Sequence, residues 1–274
     1  LLSKHSRAHM ALLNGASAIC ELPVCYASGS AEFFAQGAIS ILEGLGCIDT
    51  LCFGSECGEL SVLQHIAQLL LSESDTYSHM LQDALKKGHS FPAARHQASE
   101  KLTGDASVSQ ILSEPNNILG IEYLKALLQL DSPIIPVCVT RVSNDHHSKE
   151  LTPSISSATS IREILEQNQI SPLFSRVPEA LHDIYQMHYQ KDFPVCLDDF
   201  SLLLHAAIYS CEDLTQISGI SSDFKDRIFK MLKSDLSFEE LISACKTKNL
   251  TWSKISRNLL HIMPVSYTHL RAHE

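Results

Sequence analysis

Along the first half of the chain, short apolar runs alternate with stretches whose apolar residues return every three or four positions. Residues 18–22, 50–53 and 134–140 read as strands, the last as a buried one. Residues 3–15, 31–45, 60–71, 77–87 and 117–129 read as helices, with another following a turn at 88–92. In the first helix Ala8, Ala11, Leu12 and Gly15 share a face. In the second, Phe34, Ala38, Ile41, Leu42 and Leu45 are expected to point inward, and Gly44 and Gly46 to end the helix. Strand alternating with helix predicts an α/β fold: a parallel sheet covered by helices. After Glu166 strand-like runs largely vanish. Helical spacing takes over, as in Leu202, Leu203, Ala206 and Ala207, or Phe229, Leu232 and Leu236. Pro172, Pro178 and Pro194 punctuate the change. The expected division is a nucleotide-binding domain over 1–168 and a helical domain over 169–263.

The polar residues that interrupt this pattern sit where a nucleotide site would be. Phe53-Gly54-Ser55-Glu56 is the polar exit of one strand, and Thr140-Arg141 closes the next. Ser157-Ala158-Thr159-Ser160-Ile161-Arg162 puts three hydroxyls and a guanidinium at a loop-to-helix junction, which suits phosphates. The same run also reads as an ordinary N-cap cluster for the helix starting near Ile161. Asn116 offers a donor and an acceptor for adenine or ribose, or else caps the helix that follows. Gly54 allows close backbone approach to a ligand, or is a simple turn glycine. Arg141 suits an α-phosphate or a carboxylate, or forms a weak surface ion pair.

Composition narrows the class. In 274 residues, 45% hydrophobic, no apolar run approaches the ~20 residues of a membrane span. No signal peptide is visible at the start, and a soluble cytoplasmic protein is expected. Nine cysteines, an odd number, sit mostly in apolar contexts such as those of Cys20, Cys52 and Cys138, which suits reduced core thiols. Cys47, Cys52 and Cys57 recur every five residues, a spacing that matches no zinc pattern, so no metal site is assigned. The net charge of −10 argues against bulk electrostatic coating of nucleic acid. Between Lys225 and Arg257, however, eight basic residues face four acidic ones. That local excess is either an RNA footprint or an ordinary solvated surface.

The ordered runs Pro115-Asn116-Asn117-Ile118-Leu119-Gly120, Thr140-Arg141-Val142-Ser143-Asn144-Asp145 and Ser157-Ala158-Thr159-Ser160-Ile161-Arg162 resemble the tRNA(Met) cytidine acetate ligases, members of the nucleotidyltransferase superfamily. Ser3-Lys4, Glu21-Leu22-Pro23, Phe53-Gly54-Ser55-Glu56 and Lys246-Thr247-Lys248 with Thr251-Trp252 fit as well, so the resemblance spans about residues 1–263. It implies a Rossmann-like nucleotidyltransferase domain followed by a helical C-terminal domain. ATP would be bound by Gly54, Asn116, Arg141, Thr159, Ser160 and Arg162, with Mg2+ accompanying it. Acetate would attack the α-phosphate to give acetyl-adenylate. The acetyl group would then pass to the wobble cytidine of elongator tRNA(Met), giving N4-acetylcytidine. Lys246, Lys248, Trp252, Lys254 and Arg257 would contact the tRNA, with Trp252 stacking on a base or serving as a packing anchor. His146, beside His147 in the polar stretch 142–156, is the candidate proton acceptor. Two other functions stay open on the residues alone: adenylylation of a small metabolite, and RNA binding without catalysis.

Family members open with a strand and a His-x-Gly-His loop, and no such loop occurs in this sequence. A missing first strand–helix unit is therefore expected, together with an inactive chain and an exposed sheet edge prone to dimerise. Residues 264–274 break the preceding helical pattern and read as an adapter-derived tail.

Overall fold

The computed structural model describes residues 2–72, 74–89, 93–94, 97–98, 100–101, 106–141, 161–162, 164–165, 170–232, 235–247 and 250–265. The chain forms two compact units. One comprises 1–21, 143–203 and 236–239, the other 22–142, 204–235 and 240–274.

The first unit is helical among its described residues. Helix α1 (Lys4–Leu13) starts at Ser3, whose hydroxyl accepts from the Ser6 N–H. Its buried residue is Met10, while Leu12 is exposed, so the Ala8–Ala11–Leu12 face expected from spacing is not the packed one. Leu2 and Met10 join Leu165, Leu173, Leu181, Ile184 and Phe193 in one core. The Ser6 hydroxyl lies 3.2 Å from His188 Nε2, and His188 Nδ1 lies 2.8 Å from Asp192, tying α1 to the helix His182–His188.

The second unit carries the sheet. Strands β1 (Thr50–Ser55) and β2 (Ile135–Thr140) pair in parallel, with Thr50 opposite Ile135 and Ser55 opposite Thr140. A parallel pair needs a long crossover, and the helices between the strands provide it. Helix α2 (Ala31–Leu45) is capped by the Ser30 hydroxyl and ends at Gly46 in the left-handed region. Helices α3 (Leu60–Ser72) and α4 (Pro115–Gln129) lie on the sheet, α3 against β2 and α4 against β1. Gly120 permits the α4 contact, since a Cβ there would come within 2.6 Å of the Phe53 ring. The core is Ile39, Phe53, Leu63, Ile66, Ala67, Ile121, Leu124, Leu127 and their neighbours. Burial of each large aliphatic side chain contributes about 1.5–3 kcal/mol. Helices α5 (Ser222–Met231), α6 (Phe238–Cys245) and α7 (Trp252–Val265) follow, and Phe224, Ile228, Leu241, Ile242, Ile255, Leu259 and Ile262 are buried.

Several expectations need correction. Residues 18–22 are not a strand; among the described residues the run pairs with no other, and Pro23 follows at once. β2 is not buried on both faces: Ile135, Val137 and Val139, alternate residues that share one face, are exposed, and the sheet has two strands among the described residues. The packed face of α2 is set by Ala35, Gly37 and Ile39, and Leu45 is exposed. In the helix Ser201–Ser210 the buried residues are Leu204, Ala207 and Ile208, whereas Leu202 is 83% exposed. Phe229 is likewise exposed. Cys20 and Cys52 are exposed rather than core thiols, and Cys138 is half-buried. Cys245 is the buried one; burial pushes its thiol up to about 11, against the opposing charge of Arg227. Among the described residues no helix is long and apolar enough to cross a membrane. Residues 266–274 of the proposed tail lie outside the described residues, and α7 runs to Val265.

Candidate functional site

The C-terminal ends of β1 and β2 and the first turn of α4 meet in one polar cluster. Glu114 is the N-cap of α4 and Pro115 opens its first turn, so Asn116 and Asn117 lie inside the helix and neither caps it. The backbone N–H groups of that turn have no intrahelical acceptors. Glu56, at the exit of β1, supplies one: its Oε2 accepts from the Asn117 N–H at 2.9 Å. Its Oε1 accepts from Asn116 Nδ2 at 2.5 Å. Arg141, one residue past β2, donates from Nη1 to Asn116 Oδ1 at 3.3 Å, and its Nε stands 4.0 Å from Glu56 Oε1. The Glu56 side chain is 14% exposed and that of Arg141 46%. Burial pushes the Glu56 carboxyl up. Hydrogen bonds from the Asn116 side chain and from the backbone of Glu56, Asn117 and Asn116 outweigh that and hold it below its ordinary value.

Behind this row lies a buried one. Asn117 Oδ1 accepts from the Ser55 hydroxyl at 2.7 Å and the Cys57 N–H at 3.0 Å, and its Nδ2 donates to the Ile111 carbonyl at 3.1 Å. Ser55 in turn accepts from the Gly58 N–H at 3.0 Å. Gly58 has φ +70°, and a Cβ there would strike Thr140 Oγ1 at 2.1 Å. The turn after β1 is thus held by side chains from α4 and packed against the end of β2.

Three of the sequence-derived site residues are brought together here: Gly54, Asn116 and Arg141. Gly54 is a strand residue, not a turn glycine; a Cβ there would press on Arg141 Cγ at 3.3 Å, so its bareness lets the arginine lie along the strand end. Arg162 belongs to the other unit, on an exposed helical turn. Thr159, Ser160 and His146 lie outside the described residues. Of the basic set, Lys246 is exposed beyond α6, and Lys254 and Trp252 are exposed on α7. Arg257 is half-buried there, and Lys248 lies outside the described residues. Trp252 is 41% exposed, which is compatible with stacking on a base and with partial packing against the fold. Glu56 and Asn117 were not picked out as site residues from the sequence; their signal was a strand ending in Gly-Ser-Glu and a tandem Asn after Pro.

A family model described as HIGH Nucleotidyl Transferase matches residues 1–271. Two curated relatives named tRNA(Met) cytidine acetate ligase are similar over nearly the whole chain. The one from Caldanaerobacter subterraneus subsp. tengcongensis is 38% identical over 96% of this chain and 66% of its own length. The one from Acetivibrio thermocellus is 36% identical over 96% of this chain and 65% of its own length. The chain thus spans about two-thirds of the length of these relatives. Two crystal structures of Thermotoga maritima TmcAL, 30% identical, superpose over 94% of this chain. The form bound with alpha-thio ATP has a TM-score of 0.82 over 62% of its own chain, and the apo form 0.84 over 63%.

Proposed function

Since the chain belongs to the HIGH nucleotidyl transferase family, we propose that the protein is an ATP-dependent acetate ligase that makes N4-acetylcytidine at the wobble position of elongator tRNA(Met). The observation that carries this reading is the cluster of Glu56, Asn116 and Arg141 at the carboxyl ends of two parallel strands. That is where open α/β sheets take nucleotides. The names of the curated relatives and the ATP analogue in the T. maritima structure supply the substrates.

On this reading ATP binds at the strand ends, with Gly54 and Asn116 facing the nucleoside and Arg141 the α-phosphate. Thr159, Ser160 and Arg162 are assigned to the β- and γ-phosphates by the family resemblance alone. Acetate attacks the α-phosphorus, the bond to the bridging oxygen breaks, and pyrophosphate leaves with the electron pair. The cytidine N4 amine then attacks the acetyl carbonyl, losing a proton, with His146 as the candidate acceptor, and AMP departs. The work is positioning and charge stabilisation. Mg2+ would arrive on the triphosphate: Glu56, the carboxylate at the exit of β1, is committed to amide donors, so phosphate oxygens and water would hold the ion.

The helical part, 169–263, is proposed to hold the tRNA through Lys246, Lys248, Trp252, Lys254 and Arg257. A cytoplasmic location follows from that substrate. Pyrophosphate–ATP exchange by the full-length protein tests the reading: exchange that depends on acetate is expected. Exchange only with another acid, or with a phosphorylated metabolite, would overturn it in favour of small-metabolite adenylylation.

A further inference from the structure

Glu56 occupies a place where a phosphate is ordinarily welcome. The N-terminus of α4, a fifteen-residue helix, presents free N–H groups and the positive end of its dipole. The Glu56 carboxylate already fills it, accepting from the Asn117 N–H and the Asn116 amide, and these bonds hold its pKa below the ordinary value against the cost of burial. A second anion there would meet the like charge of Glu56, which Arg141 Nε, 4.0 Å away and half exposed, offsets only in part. The same carboxylate fixes which way the Asn116 amide points, nitrogen toward Glu56 and oxygen toward Arg141. With one N–H and one lone pair so engaged, Asn116 has one further donor and one further acceptor, which no hydrogen bond among the described residues takes up. That pair complements an uncharged edge carrying both, such as adenine N6 with a ring nitrogen, or a ribose hydroxyl.

We infer that Glu56 is a positioning residue that dedicates this end of the site to the nucleoside: its carboxylate fills the anion seat at the helix terminus and locks Asn116 for recognition of an uncharged donor–acceptor edge. The inference rests on the nucleotide reading above and deepens it by giving Glu56, which that reading leaves without a role, the task of orienting Asn116 and excluding an anion from the helix terminus. Glu56 does not touch the reacting atoms. It acts through Asn116, while Arg141, held at the rim and half exposed, stays available to the phosphate that follows the nucleoside.

The test is calorimetric titration of the wild type and Glu56→Gln with ATP, adenosine and inorganic pyrophosphate. A glutamine puts an NH2 where one of the two carboxylate oxygens now accepts, so either the Asn116 amide or the Asn117 N–H would face a donor. Adenosine should weaken about tenfold or more, as expected for loss of a hydrogen bond to a charged group. Pyrophosphate should hold or tighten. Unchanged adenosine affinity, or equal weakening of adenosine and pyrophosphate, would overturn the inference. A wild type that binds no ATP would instead sink the nucleotide reading itself, so the two failures are separable. A second measurement needs no variant. In the wild type the Asn116 side-chain proton donated to Glu56, followed by NMR with selectively labelled asparagine, should exchange more slowly with water than a free amide proton; exchange at the rate of a free amide would also overturn it.

Discussion

Two regions of the same unit carry the proposed function in opposite ways. At the strand ends, Glu56, Asn116, Asn117 and Ser55 are partly or fully buried, and each is tied to named partners. On α7 and the loop before it, Lys246, Trp252 and Lys254 stand in solvent, above a face of Ile255, Leu259 and Ile262 that is almost wholly buried. The first region fixes geometry, so each group there is costly to remove. The second offers charge and a ring, so each residue is cheap to the fold and its effect on a polyanion is additive. A site for a small ligand needs the former; a surface for RNA can be built from the latter.

The largest expected effect follows from breaking the buried row. Asn117→Leu leaves the Ser55 hydroxyl, the Cys57 N–H and the Ile111 carbonyl without their partner. It should destabilise the protein by about 3 kcal/mol, read as a lower urea midpoint at unchanged slope. A loss below about 0.5 kcal/mol would mean the row is not structural. Gly58→Ala comes next. At φ +70° and with Thr140 in the way, it should cost about 2 kcal/mol in the same assay and also weaken ATP binding, because the turn carrying Glu56 must move.

Acid sharpens the contrast further. The folded Glu56 carboxyl titrates below its ordinary value of 4.5, so the unfolded chain takes up that proton first as pH falls. Its stabilisation is fully present above that value and disappears as pH drops through the folded pKa. Glu56→Gln should therefore flatten this part of the stability–pH curve, measured by urea melts between neutral and strongly acid pH. An unchanged curve would show that the carboxylate is not held as described. The smallest effects belong to the exposed region. Lys246→Ala and Lys254→Ala should each change stability by no more than about 0.5 kcal/mol. Each should also lower the slope of log affinity for tRNA against log salt by about one. An unchanged slope would remove these lysines from the RNA surface.

The difference between the regions also decides what could be read in advance. Gly54, Asn116 and Arg141 stand at strand ends and a helix start that the apolar pattern marks, and the structure brings them within contact of one another. Glu56 and Asn117 were not legible as site residues, because their hydrogen bonds join positions about sixty residues apart and no local pattern records that pairing. The Ser201–Ser210 helix is apolar nearly all round, so spacing could not choose between Leu202 and Leu204 as its inner face. The open face of β2 depends on what covers the sheet, which an alternation of Ile135, Val137 and Val139 does not tell. For 18–22, a strand needs a partner as well as apolar residues, and the run has none among the described residues.

The central claim is that the nucleotide sits at the strand ends, on the Glu56–Asn116–Arg141 cluster. Amide hydrogen exchange of the protein with and without ATP tests it directly. Slower exchange confined mainly to 54–58 and 115–120, and to Arg141, is the result expected. Protection that leaves these segments untouched and falls elsewhere would contradict it.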